Sequence, residues 1–212
     1  MTRPTLLVGM CGTATEVGKT YVGARLAAAL RHGGRVVSAR KPLQSFDPAD
    51  PAPTDAEVLA EATGEDVHDV CPEAGWYPTP MAPPMAAVAL GLRCPSLAEV
   101  ATGITWPNRN PDVGLVEAVG GVRSPLAEDG DSRALVRALG VDLVVLVADA
   151  GLGTIDAVRA GVEGLVPHRV VVHLNRFDGD DDLHRRNRDW LVGRDGFDVV
   201  TTVEDLLAQL LT

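Results

Sequence analysis

The strongest constraint on how this chain folds is an alternation of two kinds of segment. Five short runs, TLLVGMC (5–11), RVVSARK (35–41), DVGLVEA (112–118), DLVVLVADA (142–150) and RVVVHLNRF (169–177), are rich in apolar residues. Most stay apolar at successive positions rather than at every second one, the mark of a strand covered on both faces. Between them lie longer Ala-rich or amphipathic segments, at 19–32, 55–63, 131–139, 154–165 and 203–211, that read as helices. The alternation predicts an α/β fold, a doubly wound and mostly parallel sheet with helices on both faces. In such sheets ligands bind beyond the carboxyl ends of the strands. The residues that follow each apolar run are therefore the candidates for function.

A chain of 212 residues suits one domain, taken as 1–212, with a core large enough to need no staples. Aromatics make up only 4%, which favours close helix-on-sheet packing by Ala, Val, Leu and Gly. The net charge of −10 argues against nucleic acid as a partner, because phosphate backbones need a basic surface. Cys11, Cys71 and Cys94 are odd in number, far apart and form no CxxC, so they read as reduced thiols rather than metal ligands. The opening MTRPTLLVGMCG is a first strand rather than a signal peptide, and no stretch is long enough to span a bilayer. A cytoplasmic protein with no membrane partner is expected. Two Pro-rich stretches, 42–54 and 76–84, break the rhythm and flank the helix at 55–63. They are linkers or functional loops, and long loops inside compact domains are more often functional.

Between the first strand and the first helix stands GTATEVGKT, Gly12 to Thr20. A glycine-rich turn here aims backbone N–H groups at a phosphate, the helix end adds partial positive charge, and Lys19 adds a full one. The Thr20 hydroxyl can ligate Mg²⁺. The common motif is G-x-x-x-x-G-K-[ST]; here five residues separate Gly12 from Gly18, so Thr13 takes the place of the first glycine. The loop makes the expected fold P-loop NTPase-like and points to a nucleoside triphosphate. It also contains Glu16, which bound phosphates repel. That carboxylate either caps the helix entry or accepts hydrogen bonds from an amine substrate.

Mg²⁺ takes oxygen ligands, commonly one or two carboxylates beside phosphate oxygens. Glu117 ends an apolar strand just before Gly120 and Gly121, where a buried charge needs a partner. Asp55 follows Thr54 at a helix start, where capping and metal binding are equal alternatives. Asp149 also ends a strand but ranks below Glu117. Lys41 ends the second strand and is either a cation for a transferring phosphoryl or carboxylated group or a lysine snorkelling to solvent.

Assembled in order, these segments resemble the dethiobiotin synthetase family. GTATEVGKT is similar to that family's GTDTEVGKT, with the same five-residue gap, and KPLQS to KPVQTG or KPVASG. TDAEVL, PTPMAPPMAA, VEAVGGVRSPLAEDGDSRALVRAL and GLGTIDAVRAGVEGL resemble its later segments, so the likeness covers roughly residues 5–178. It implies ATP-dependent carboxylation of 7,8-diaminononanoate by CO₂ and closure of a ureido ring, through a carbamate and its mixed anhydride with phosphate. Carried over by position, Thr20, Asp55 and Glu117 would hold Mg²⁺, and Lys19 and Lys41 would be catalytic. The nucleotide would lie against Thr15, Glu16, Val17, Gly18, Lys19, Thr20 and Tyr21, with Asp55, Glu117, Ala118, Val119, Gly120, Asn175 and Arg176. The diamine and its carbamate would meet Thr13, Thr15, Glu16, Lys41 and Ser45. Gly151, Leu152 and Gly153 would meet the substrate carboxylate across a homodimer.

Three departures bear on the substrate. Ala14 replaces the loop's usual Asp or Gly, and Ala118–Val119 replace a Gly-Ala pair, adding bulk expected beside the metal and phosphates. Asp156 stands where the family has Asn, and its charge would oppose a substrate carboxylate. The family's base-packing Gly-x-Ile-Pro has no counterpart after residue 178, while Asn175 to Asp178, NRFD, is similar to the guanine-reading N-K-x-D. A paralogue acting on another amine and a nucleotide-switched regulatory ATPase are the alternatives. The switch class usually has a second lysine early in the loop, and none lies between Gly12 and Gly18.

Overall fold

The structure is a computed structural model that describes residues 3–210. The first two residues of the expected opening segment and residue 211 of the expected last helix lie outside the described residues. In chain order the strands are β1 (Leu6–Gly12), β2 (Val37–Arg40), β3 (Gln44–Ser45), β4 (Trp76–Tyr77), β5 (Val113–Gly121), β6 (Pro125–Ala127), β7 (Gly130–Asp131), β8 (Leu143–Asp149), β9 (Val170–Asn175) and β10 (Asp198–Val200). The helices are α1 (Lys19–His32), α2 (Asp55–Thr63), α3 (Val67–Val70), α4 (Pro83–Ala89), α5 (Leu97–Gly103), α6 (Ser132–Leu139), α7 (Thr154–Leu165), α8 (Asp182–Gly193) and α9 (Val203–Leu210).

Six strands form the central sheet in the order β10-β9-β8-β1-β5-β2, and every pair in it is parallel. Successive strand residues serve opposite faces, and the core divides accordingly. Val8 and Met10 of β1, Val113 and Leu115 of β5 and Val145 and Val147 of β8 pack with α1, α2, α3 and α9. Leu7 and Cys11, Val116 and Ala118, and Val144 and Leu146 pack against α4, α5, α6 and α7. Leu191 of α8 joins Val158 of α7 over Val172 and Leu174 of β9. Helices thus cover both faces, as the unbroken apolar runs require. All three cysteines are free, and burial pushes the thiols of Cys11 and Cys71 up to about 12.

β1 lies between β5 and β8, so the chain moves to one side of it for β2 and β5 and to the other for β8 to β10. That reversal opens a crevice at the carboxyl end of β1, where the glycine loop sits. The Pro-rich stretches are less irregular than expected. Gln44 and Ser45 pair in parallel with Trp76 and Tyr77, and Pro83 starts α4 at a position where its missing N–H has no cost.

α1 joins the loop to the sheet, and Leu26, fully buried on it, packs within the core on that face. Leu26→Ala is expected to lower stability by about 2–5 kcal/mol. Urea denaturation checks this, and a loss under 1 kcal/mol would mean that α1 is not packed as described.

Candidate active site

β1 ends at Gly12, which stands opposite Gly121 of β5 and Val147 of β8. From there the loop reaches the N-cap of α1 at Gly18, whose φ of 91° is left-handed. No side chain caps α1, so its first N–H groups face the loop interior without a side-chain partner. Three side-chain contacts fix the loop. The Asn175 amide donates to the Val17 carbonyl (2.9 Å), the Lys19 ammonium to the Ala14 carbonyl (3.2 Å) and Arg176 to the Glu16 carbonyl (2.9 Å). Arg176 also pairs with Asp149 (3.0 Å), which accepts the Gly151 N–H (2.9 Å). Among the described residues, Glu16 and Arg176 are the two non-glycine residues at positive φ, 59° and 55°. Each holds a conformation that costs about 1–3 kcal/mol, and the bond between them ties the loop to the end of β9.

Behind the loop lies a compact cluster of charge. The Lys41 ammonium is 2.6 Å from Glu117 Oε1 and 2.8 Å from Asp55 Oδ2. The Thr20 hydroxyl lies 2.7 Å from Asp55 Oδ1 and 2.9 Å from Glu117 Oε1, and its single proton serves one at a time. Glu117 stands opposite Met10 in β5, which directs it under the loop. Asp55 opens α2, but Thr54 is the cap, completing a capping box with Glu57. The capping alternative for Asp55 is therefore replaced by the cluster. Lys41 is only 2% exposed, which rules out snorkelling.

Burial pulls the Lys41 ammonium down, but the Glu117 and Asp55 carboxylates outweigh it and hold its pKa above the ordinary lysine value. Burial raises the Glu117 carboxyl, with Lys41 acting against the rise. For Asp55 burial again raises, and the Lys41 charge and its hydrogen bonds win, leaving it below the usual range. Lys19, also buried, is lowered by desolvation. Glu117 Oε2 is buried and has no partner. An orphaned carboxylate oxygen beside a hydroxyl and a second carboxylate suits a hard divalent cation, and Thr20, Asp55 and Glu117 fit Mg²⁺.

The cluster faces a crevice of ≈ 700 Å³. The loop forms one wall, through Thr15, Glu16, Gly18, Lys19 and Thr20; Lys41, Gln44, Ser45 and Asp55 form another, and Pro80 to Pro83 form the rim. Both Pro-rich stretches thus contribute to it, which favours the functional-loop alternative. Val119, Gly120, Ser124 and Arg176 also line it. A second crevice, of ≈ 580 Å³, shares Gly18 and Arg176 with the first and contains Tyr21, His173, Asn175 and Glu204.

Several expected site residues lie elsewhere. Val17 is buried, and its carbonyl is taken by the Asn175 amide. Ala118 points into the core on the face opposite Glu117, so its methyl does not crowd the cluster as its sequence position suggested. Thr13 and the turn Gly151 to Gly153 do not line either crevice, and Leu152 is 93% exposed. Asp178 accepts the Asp180 N–H in a turn and is absent from both crevices, which removes the carboxylate of a guanine reader. The sequence reading assigned no role to Gln44, Ser124 or His173. Gln44 lies inside KPLQS, and its carbonyl accepts the Ala56 N–H (3.0 Å) next to Asp55. Lys19 and Lys41 are the only lysines in the sequence.

Fold and site together define a P-loop nucleotide-binding protein of the α/β class. A plasmid partition protein from Borrelia burgdorferi shares this fold at 11% identity, with a TM-score of 0.55 over 99% of both chains. A nucleotide-binding protein from Archaeoglobus fulgidus, solved with ADP, shares it at 11% identity and 0.50 over 97% of this chain and 85% of that one. The family model described as an AAA domain matches residues 5–188. The ATP-dependent dethiobiotin synthetase of Haloferax mediterranei is 37% identical over 191 residues, 88% of this chain and 79% of that one. Those of Phenylobacterium zucineum and Anaeromyxobacter dehalogenans are 36% and 38% identical, over 74% and 81% of this chain and 68% and 77% of theirs. The chain belongs to the AAA-domain family and, within it, to the dethiobiotin synthetases.

Removing Lys41 would leave Glu117 buried and unpaired. Lys41→Met is expected to cost about 3–5 kcal/mol in metal-free buffer, and adding Glu117→Gln should return most of it. Denaturation of both variants measures this, and an unchanged Lys41→Met midpoint would contradict the ion pair.

Proposed function

We propose that this protein is an ATP-dependent dethiobiotin synthetase, carboxylating 7,8-diaminononanoate with CO₂ and closing the ureido ring. The observation that carries the reading is the Lys41 ammonium, buried between Glu117 and Asp55 at the floor of a crevice whose wall is the phosphate loop. In a chain 36–38% identical to named synthetases over most of its length, that arrangement has the chemistry the reaction needs.

One substrate amine takes up CO₂ as a carbamate and releases a proton. Lys41 and Ser45 hold its oxygens, and the unpartnered Ser45 hydroxyl supports that role. Thr15 and Glu16 line the opposite wall, where Glu16 accepts hydrogen bonds from an amine; this gives the loop carboxylate a purpose that phosphate binding alone denies it. The γ-phosphoryl group moves to a carbamate oxygen as its bond to the β-phosphate bridge breaks. The second amine then attacks the carbamoyl carbon, gives up a proton, expels phosphate and closes the ring. Transfer of this kind is mostly positioning and charge stabilisation, supplied by Lys19, Lys41 and the N–H groups of α1. Mg²⁺, held by Thr20, Asp55 and Glu117, would neutralise charge on the β- and γ-oxygens. The remaining nucleotide contacts are assigned to Val17, Tyr21, Val119, Gly120, Asn175, Arg176 and the backbone of Ala118.

The assembly is read as a homodimer in which Gly151, Leu152 and Gly153 of one subunit, with Thr13 of the other, enclose the substrate. The bare Leu152 side chain supports this. Free thiols accord with a cytoplasmic setting. Asp156, in the first turn of α7, favours the helix dipole but opposes a nearby carboxylate. A related amine lacking that carboxylate is the second reading.

ADP release is expected to require both diaminononanoate and bicarbonate, and release indifferent to either would remove the synthetase. Lys41→Met, folded under assay conditions by circular dichroism, should lose at least about 100-fold in turnover and bind Mg-ADP within a few-fold of the parent. Near-normal turnover would take Lys41 out of the reaction. Asp156→Asn should lower KM for diaminononanoate by roughly tenfold, whereas an unchanged KM would place Asp156 away from the carboxylate.

A further inference from the structure

The second crevice contains a polar group with no structural duty. His173 lies on β9 two residues before Asn175, on the same face of the strand, opposite Val147 of β8 and Val200 of β10. It is 3% exposed, yet it lines the crevice together with Gly18, Tyr21, Asn175 and Glu204. Its Nδ1 is buried with no hydrogen-bond partner. Buried polar atoms in folded proteins are almost always paired, and an unpaired one on a ring that lines a ligand-sized crevice points to a ligand.

Three of the neighbouring polar groups are already engaged. Asn175 gives one N–H to the Val17 carbonyl, and Arg176 divides its guanidinium between Asp149 and the loop. The Thr202 hydroxyl donates to Asp205 at the start of α9 (2.8 Å). His173 has no such engagement, and burial lowers its pKa to about 4, so the ring is neutral at pH 7. A neutral imidazole offers one donor and one acceptor and no charge. That suits the edge of a base rather than a phosphate.

Geometry decides which part of a nucleotide arrives there. With its phosphates on the loop and its γ end toward Lys41, the nucleotide extends past Gly18 and Arg176, the residues both crevices share. We propose that His173 hydrogen-bonds the base of the bound nucleotide and sets the protein's base preference. This rests on the nucleotide reading above, but not on the identity of the amine substrate.

Calorimetry with Mg-ADP and with inorganic tripolyphosphate, which has no base, tests the assignment. His173→Val keeps a β-branched residue in the strand and removes the imidazole; His173→Gln restores a donor and an acceptor. The valine variant is expected to bind Mg-ADP about tenfold more weakly and tripolyphosphate within twofold of the parent. The glutamine variant should recover part of the loss. Any preference of the parent among ADP, CDP and GDP should shrink in the valine variant. Equal weakening of both ligands would mean a packing role and overturn the proposal, as would unchanged ADP affinity or a parent without base preference. Mg-ADP binding without diamine-dependent turnover would overturn the synthetase and leave His173 standing, whereas a parent that binds no ADP would overturn both.

Discussion

A lysine ammonium held in the interior by two carboxylates is the interaction around which this molecule is arranged. Lys41 sits at the end of β2, Glu117 within β5, Asp55 at the start of α2 and Thr20 at the start of α1, and each touches two of the others within about 3 Å. Lys41 and Glu117 could not be buried singly, because an isolated buried charge is costly, whereas Asp55 keeps 44% of its side chain exposed. The pairing therefore fixes where α2 docks and which way β5 faces. It also keeps β2 adjacent to β5 in the sheet. The same charges that satisfy one another here are the ones a metal and a phosphate would rearrange.

A second set of contacts keeps the loop in place from the opposite side. Asn175 and Arg176, at the end of β9, reach across to the carbonyls of Val17 and Glu16, so the strained backbone at Glu16 is held from a neighbouring strand. The loop thus opens toward Lys41 on one side and toward His173 on the other. Its two faces carry different chemistry: the first crevice holds both lysines, and the second holds a buried imidazole beside Asn175.

The sheet was legible because its strands are unusual in being apolar at successive positions. The runs of β8 and β9 are matched almost residue for residue, and helices α1, α2 and α7 begin and end where the pattern placed them. What escaped notice lacked that signal. α8 is crowded with Arg and Asp and buries only Asn187 and Leu191, so its polarity masked its helicity; β10 has three residues and lies at the sheet edge. In the site, GKT, Lys41 and Glu117 could be found because a charge after an apolar run needs a reason. Asp55 could not be separated from a capping residue until Thr54 was seen to cap. Ala118 was misjudged because strand parity, not sequence adjacency, decides which face a side chain enters. His173 was invisible, since a histidine inside an apolar run reads the same whether it fills a core or greets a ligand.

The confinement of lysine to the site makes the protein its own spectroscopic probe. Its surface cations are arginines, whose guanidinium groups stay protonated and are inert to ordinary acylating reagents. Isotope-labelled lysine would therefore give two side-chain signals, one from the phosphate loop and one from the buried carboxylate cradle, with no background from the rest of the chain. Changes at those two resonances would follow nucleotide, metal and substrate entering in turn, without any engineered label.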